Sequence, residues 1–283
     1  MKLTMKTPLV STHWLNDRLG VDNLIILDGT IGKNSSLDNS AKNYIPGTIF
    51  FDIQNNFSQM NSNLPNTIPS KEQFEKEVRK LGVNNDSCVV VYDSIGIYSS
   101  ARVWWLFKTF GFHNIAILNG GLPEWKADGF PLENKVISFK KEYGDFKAKK
   151  NSNNIRSTAD VLGIVKSREA YILDARSEGR FYGTEPEPRA GLTSGHIPTS
   201  INLPYSDLQI KGEMKSRPEL LEIFADLKID DKPLVFSCGS GITACVLVLG
   251  ATIAGYKNIS VYDGSWTAWA SNKELPIDNK RQG

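Results

Sequence analysis

Histidine and cysteine are scarce in this 283-residue chain, with three of each. So small and odd a set of cysteines (Cys88, Cys238 and Cys245) excludes a disulfide framework. It points to a reducing compartment, with the cytoplasm as the default. The histidines, His13, His113 and His196, are scattered and share no metal-ligand spacing with the cysteines, so neither a metal nor another cofactor is expected. Charge of one sign is also lacking: 33 basic residues against 31 acidic ones leave +2. That balance gives no electrostatic case for binding nucleic acid or a membrane surface. No apolar run approaches the roughly 18–20 residues of a membrane helix. The opening MKLTMKTPLV carries two lysines but no apolar stretch of signal-peptide length. What remains is a globular composition, 40% hydrophobic and 10% aromatic, with length for one large or two ordinary domains.

The chain repeats itself. Asp28 in LIILDG matches Asp174 in YILDAR, and Ile45-Pro46-Gly47 matches Ile197-Pro198-Thr199. SKEQFEKEVRKL from Ser70 matches SRPELLEIFADL from Ser216, VVVYD ending at Asp93 matches LVFSC ending at Cys238, and ILNGGLPEW matches VYDGSWTAW. These landmarks keep their order and a nearly constant offset, so the halves are two copies of one fold. Short apolar runs read as buried strands: 24–27, 89–92, 115–118, 171–173, 234–237 and 259–262. Helix starts lie between them. Ser70 with Gln73 and Ser216 with Glu219 have capping-box spacing, and Pro218 sits where a missing N–H costs nothing. Alternating strands and helices predict an α/β fold, each copy a mostly parallel sheet with helices on both faces. The stretch 133–154, with Lys135, Lys140, Lys141, Lys147, Lys149 and Lys150, reads as a solvated connector.

One segment stands apart. A strand ends at Cys238, a loop with Gly239, Ser240 and Gly241 follows, and an apolar helix starts near Thr243. Glycines let several backbone N–H groups turn inward, and the helix N-terminus adds partial positive charge. A strand end before such a loop is where open α/β sheets place site residues. A free thiol near pKa 8.5 is only about 3% ionised at pH 7. Lowering it by two units changes the attack rate only a few-fold, because nucleophilicity falls with basicity at a slope of about 0.4–0.5.

The loop CGSGITA, the run DAR…GRF…GTEPEPR…GHIP and the closing YDGSW resemble the 3-mercaptopyruvate sulfurtransferases of the rhodanese superfamily. The likeness runs from about Leu9 to Ile277. It implies two tandem rhodanese-like domains: an inactive one over 9–132, a linker over 133–154 and a catalytic one over 155–283. Asp93 stands where the second copy has Cys238, and an aspartate cannot form a persulfide. The resemblance makes Cys238 the nucleophile. It makes the N–H groups of Gly239, Ser240, Gly241, Ile242 and Thr243 the cradle of an anionic persulfide, which is the loop's larger service given the modest gain in attack rate. It assigns donor binding to Arg180 and Arg189. Guanidinium suits both the donor carboxylate and a developing enolate.

The resemblance also implies a proton relay from Ser240 through a His to an Asp of the first domain. FFDI supplies Asp52, but Asn63 stands where the His is expected. An amide does not shuttle protons as imidazole does. The expected donor is 3-mercaptopyruvate and the acceptor a thioredoxin-like dithiol, a small thiol or cyanide. Thiosulfate is the alternative donor, although the loop lacks the basic residues that suit a compact dianion. A cysteine phosphatase would need Arg at the sixth residue after Cys238, which is Ala244. A non-catalytic binding module would not need the cysteine. His196, in Gly195-His196-Ile197-Pro198, is expected to be structural, and Cys88 and Cys245 to be core.

Overall fold

The computed structural model describes residues 2–31, 43–134 and 142–279. Lys135, Lys140 and Lys141 of the expected connector lie outside them. The chain divides into two compact units. The first comprises Met1–Met60, Ile68–Asn151 and Lys211–Met214, and the second Asn61–Thr67, Ser152–Ile210 and Lys215–Gly283.

The first unit is built on a five-stranded parallel sheet in the order Leu9–Val10, Ile115–Leu118, Cys88–Tyr92, Leu24–Asp28, Thr48–Phe50. Successive side chains on a strand point to opposite faces, and both faces are buried. Ile26, Val90, Tyr92, Ala116 and Leu118 pack with Leu15, Leu122 and Trp125 from the helices Thr12–Asn16 and Gly121–Ala127. On the opposite face Val91 approaches Val103 of helix Ser100–Thr109 around Gly29, whose Cβ would lie 2.6 Å from Val103. Phe51, Phe57, Phe74, Phe107, Phe110 and Phe112 form a stacked and edge-on cluster that Phe146 completes.

Phe146 corrects the reading of its segment as a solvated connector. Phe146 and Ala148 are buried. The backbone of this stretch is pinned by Phe146 N–H to Val83 O (3.2 Å), Lys149 N–H to Phe110 O (2.8 Å) and Ala148 N–H to Glu75 Oε2 (2.8 Å). Lysine-rich composition hid two apolar positions that the aromatic cluster needs.

The second unit repeats the plan. Its parallel sheet runs Ile155–Arg156, Ile259–Tyr262, Leu234–Ser237, Tyr171–Asp174, Ile201–Asn202. Val161 and Ile164 of helix Thr158–Ser167 cover one face together with Trp266 and Trp269 of helix Ser265–Ser271. Local rules account for most ends. Ser216 and Glu219 form the expected capping box, with Glu219 Oε2 accepting from Ser216 N at 2.8 Å. Ser70 caps Gln73 N at 3.1 Å, but the Gln73 amide donates instead to Asn56 O and Ser58 O, so that box is half made. The matched turns Ile45-Pro46-Gly47 and Ile197-Pro198-Thr199 both place their third residue in the left-handed region, at φ 75° and 67°. Glycine suits this without cost; threonine is held there by its surroundings. No helix among the described residues is long and apolar enough to cross a membrane.

Candidate active site

Cys238 leaves the sheet at the carboxyl end of the central strand Leu234–Ser237, where open α/β sheets carry their sites. The thiol is buried, and its Sγ accepts the Gly241 N–H at 3.1 Å. Gly241 takes φ 77°, the left-handed turn that points this N–H back at the sulfur. The helix Ala244–Ala254 follows at once, apolar along its length and closed by Gly255 at φ 109°. Cys245 on its first turn is fully buried and donates to Gly241 O at 3.3 Å, in keeping with a core thiol.

The loop is clamped from below by residues of YDGSW and by Thr267, which follows it. Cys238 N–H donates to Ser265 Oγ (3.1 Å), and Ser265 Oγ donates to Tyr262 O (2.8 Å). Cys238 O accepts from Trp266 N (2.9 Å), and Gly239 O accepts from Thr267 N (3.0 Å) and Thr267 Oγ1 (2.6 Å). Ser265 adopts φ 49°, a left-handed conformation costing a non-glycine residue about 1–2 kcal/mol. Surrounding bonds hold it there, which is how fixed sites retain strain.

Two guanidiniums lie over this loop. A Cβ at Gly239 would sit 3.0 Å from Arg180 Nη2 and 3.8 Å from Arg189 Nη1, so a side chain there would press on the Arg180 guanidinium and only touch that of Arg189. Arg180 is held in a fork by Glu187, Nε to Oε1 at 3.2 Å and Nη2 to Oε2 at 2.7 Å. Glu187 is almost fully buried and also accepts from Arg176 Nη1 at 2.8 Å. Arg176 is itself enclosed, bonded to both Asp174 oxygens and to Gly195 O, with its guanidinium 4.4 Å from the Trp266 ring centroid. Burial pushes the Arg176 guanidinium down, and Asp174 and Glu187 more than offset this, leaving it raised. The quartet is neutral. Arg189 is different: it donates to Ser240 Oγ (3.2 Å) and Thr267 Oγ1 (3.4 Å) and has no carboxylate partner among the described residues.

Most of the residues singled out from the sequence meet here: Cys238, Gly239, Ser240, Gly241, Ile242, Thr243, Arg180 and Arg189 all belong to the second unit. Asp52 belongs to the first unit, where its carboxylate accepts from Asn55 N (3.0 Å) and Asn55 Nδ2 (2.8 Å) and closes a turn. Asn63 is exposed. A residue the sequence reading missed lies three positions on. Asn66 is buried and its Nδ2 donates to Ser240 Oγ at 3.0 Å. The signal was Leu64-Pro65-Asn66-Thr67, a turn with proline followed by an asparagine at φ 58°. Glu187 and Thr267 were also missed as partners of the two arginines. His196 is structural as expected: Nδ1 bonds Phe181 O at 2.9 Å and the ring stacks on Phe181 at 3.9 Å. Burial holds its imidazole below the usual value. Ala244, where a phosphatase would carry Arg, is a buried residue at the helix start. No cluster among the described residues could hold a metal ion.

The first unit offers an internal comparison. Asp93 occupies the position of Cys238, and Gly96 (φ 116°) that of Gly241. The Asp93 carboxylate is buried and accepts three backbone N–H groups: Ile95 (3.1 Å), Tyr98 (2.8 Å) and Ser100 (2.9 Å). By the repeat alignment these correspond to the N–H groups of Ser240, Thr243 and Cys245. This loop too is a cradle of inward-turned backbone N–H groups, filled by its own side chain.

The rhodanese-like domain profile matches residues 11–128 and 157–272. The chain belongs to the rhodanese family. Across 278 residues it is 37% identical to the 3-mercaptopyruvate sulfurtransferase of Escherichia coli, covering 96% of this chain and 98% of that one. It is 38% identical over 274 residues to the thiosulfate sulfurtransferase of mouse, covering 92% and 91%. Among solved structures, the 3-mercaptopyruvate sulfurtransferase SseA of Escherichia coli superposes with a TM-score of 0.81 at 34% identity, over 92% of this chain and 99% of that one. Both expected rhodanese-like domains are therefore present, as is the fold of two parallel sheets with helices around them.

Proposed function

We propose that this member of the family is a sulfurtransferase that takes the sulfur of 3-mercaptopyruvate onto Cys238 and passes it to a thiol or cyanide. The observation that best supports this is a conjunction in one loop: a buried thiol bonded by a backbone N–H, with two guanidiniums over the adjacent glycine. The reaction balances without an outside base. Cys238 thiolate attacks the donor sulfur, an S–S bond forms and the C–S bond breaks, its electron pair going to carbon. The donor's own thiol proton ends on that carbon, giving pyruvate and an anionic persulfide. Arg189, lacking a carboxylate partner among the described residues, suits the donor carboxylate. Arg180, its fork turned to Glu187, keeps further N–H groups for the keto oxygen where enolate charge develops. The outer sulfur of the persulfide would take the place that the Asp93 carboxylate takes in the other copy.

An acceptor thiolate then attacks the outer sulfur and releases Cys238. A thioredoxin-like dithiol, a small thiol and cyanide all satisfy that step. We give Asp52 no step, since its carboxylate is engaged by Asn55. Three free cysteines suit a reducing compartment, and we place the reaction in the cytoplasm.

Thiosulfate is the second reading, favoured by the 38% identity to the mouse enzyme of that name. Against it, Gly239, Ser240 and Gly241 carry no charge. Initial rates of thiocyanate formation from the two donors, with cyanide as acceptor, decide the matter. Faster turnover of 3-mercaptopyruvate supports the assignment, and faster turnover of thiosulfate reverses it.

A further inference from the structure

Arg189 is exposed, and a long exposed side chain samples many rotamers unless something ties it. Two hydroxyls tie it here. Its Nη1 donates to Thr267 Oγ1 at 3.4 Å and its Nη2 to Ser240 Oγ at 3.2 Å. Ser240 rides on the loop after Cys238 itself. Thr267 is buried near the start of helix Ser265–Ser271, and its Oγ1 also donates to Gly239 O at 2.6 Å. The sense of both Thr267 bonds is fixed, because a carbonyl only accepts and a guanidinium only donates. One oxygen thus links the Arg189 guanidinium to the main chain of the loop. Thr267 takes one of the five guanidinium N–H groups and Ser240 a second; the other three have no acceptor among the described residues.

We propose that Thr267 is a positioning residue, which holds Arg189 beside the loop after Cys238 and so raises the affinity of the site for a carboxylate. That this carboxylate is the sulfur donor's rests on the sulfurtransferase reading above; the tie itself does not. A hydroxyl suits this post better than a carboxylate would. Glu187 holds Arg180 by charge, and such a partner at Arg189 would compete with a ligand for the same cation. Thr267 fixes the position and leaves the charge to the ligand. Its hydroxyl is not what keeps the loop in shape, since Gly239 O also accepts from Thr267 N at 3.0 Å. One hydrogen bond of ordinary strength corresponds to about fivefold in affinity.

Thr267→Val keeps the shape and deletes the hydroxyl, while Thr267→Ser keeps the hydroxyl. In steady-state turnover of 3-mercaptopyruvate, Thr267→Val should raise KM about fivefold and leave kcat within about twofold of the parent. Thr267→Ser should restore KM. In an Arg189→Ala background, Thr267→Val should add no further loss. A second probe needs no turnover: the rate at which Cys238 is alkylated by iodoacetate, which carries a carboxylate, relative to iodoacetamide, which does not. That ratio should fall about fivefold in Thr267→Val and recover in Thr267→Ser, with the iodoacetamide rate unchanged. A Thr267→Val protein with the parent's KM or the parent's ratio, a loss that persists in the Arg189→Ala background, or a Thr267→Ser protein as impaired as Thr267→Val would each overturn the proposal. Failure of the sulfurtransferase reading would appear separately, as no turnover of 3-mercaptopyruvate by the unmodified protein while the alkylation ratio still falls in Thr267→Val.

Discussion

Glu187→Gln is a severe test of how the second unit holds the guanidiniums of Arg176 and Arg180. Glu187 is almost fully buried and joins two arginines through three charge-assisted bonds, at 2.8 Å to Arg176 and at 3.2 and 2.7 Å to Arg180. Glutamine has the same shape but carries no charge, and its NH2 would face guanidinium N–H groups. Removing one partner of a buried ion pair costs about 3–5 kcal/mol. Arg176 keeps both Asp174 oxygens and Gly195 O, so the lower end, about 3 kcal/mol, is expected here. In a unit of this size that is a fall of roughly 10 °C in melting temperature. Arg180, released from its fork, should also bind donor less well, and KM for 3-mercaptopyruvate should rise about tenfold, equivalent to about 1.4 kcal/mol. Scanning calorimetry and steady-state kinetics on one preparation read both effects. Glu187→Asp, which keeps the charge on a shorter arm, should fall between the parent and Glu187→Gln. A Glu187→Gln protein that melts within about 2 °C of the parent and keeps its KM would refute the view that this carboxylate organises the site.

Arg189→Ala should reduce kcat/KM for 3-mercaptopyruvate by about 10²-fold, as expected for losing charged bonds worth about 1.5–3 kcal/mol, with little change in melting temperature. An equal loss of stability and activity would count against a binding role. Burial lowers the His196 imidazole from its ordinary value of 6.5, so the folded chain binds a proton there less readily than the unfolded one. The stability this gives is present above pH 6.5 and is lost as pH falls through that value toward the folded one. Urea midpoints measured from about pH 7.5 to 5 should show the decline, and His196→Gln should flatten it. An unchanged slope in that variant would place the acid sensitivity elsewhere.

Much of this architecture is written locally in the sequence. Strand ends such as Ile115–Leu118 and Leu234–Ser237 follow from short apolar runs bounded by polar or glycine residues, and the repeat fixes the pairing of the two copies. The loop after Cys238 is legible for the same reason: its strand, glycines and helix start are contiguous. What was hidden depends on contacts between distant positions. Asn66 meets Ser240 through a turn that no periodicity marks. Glu187 sits in a polar run where nothing local shows that it bridges Arg176 and Arg180. Phe146 lies among lysines, and only the aromatic cluster around Phe74 and Phe107 explains its burial. Asp93 stands in the sequence where the other copy has Cys238, but only the structure shows its three backbone donors.

The central claim is that Cys238 carries the sulfur. Purified protein should be mixed with 3-mercaptopyruvate without acceptor, and pyruvate release and intact mass followed, with Cys238→Ser as the control. The account predicts about one pyruvate per chain and a mass gain of one sulfur, both absent in Cys238→Ser. Pyruvate release that persists in Cys238→Ser, or no added sulfur on the unmodified chain, would contradict it.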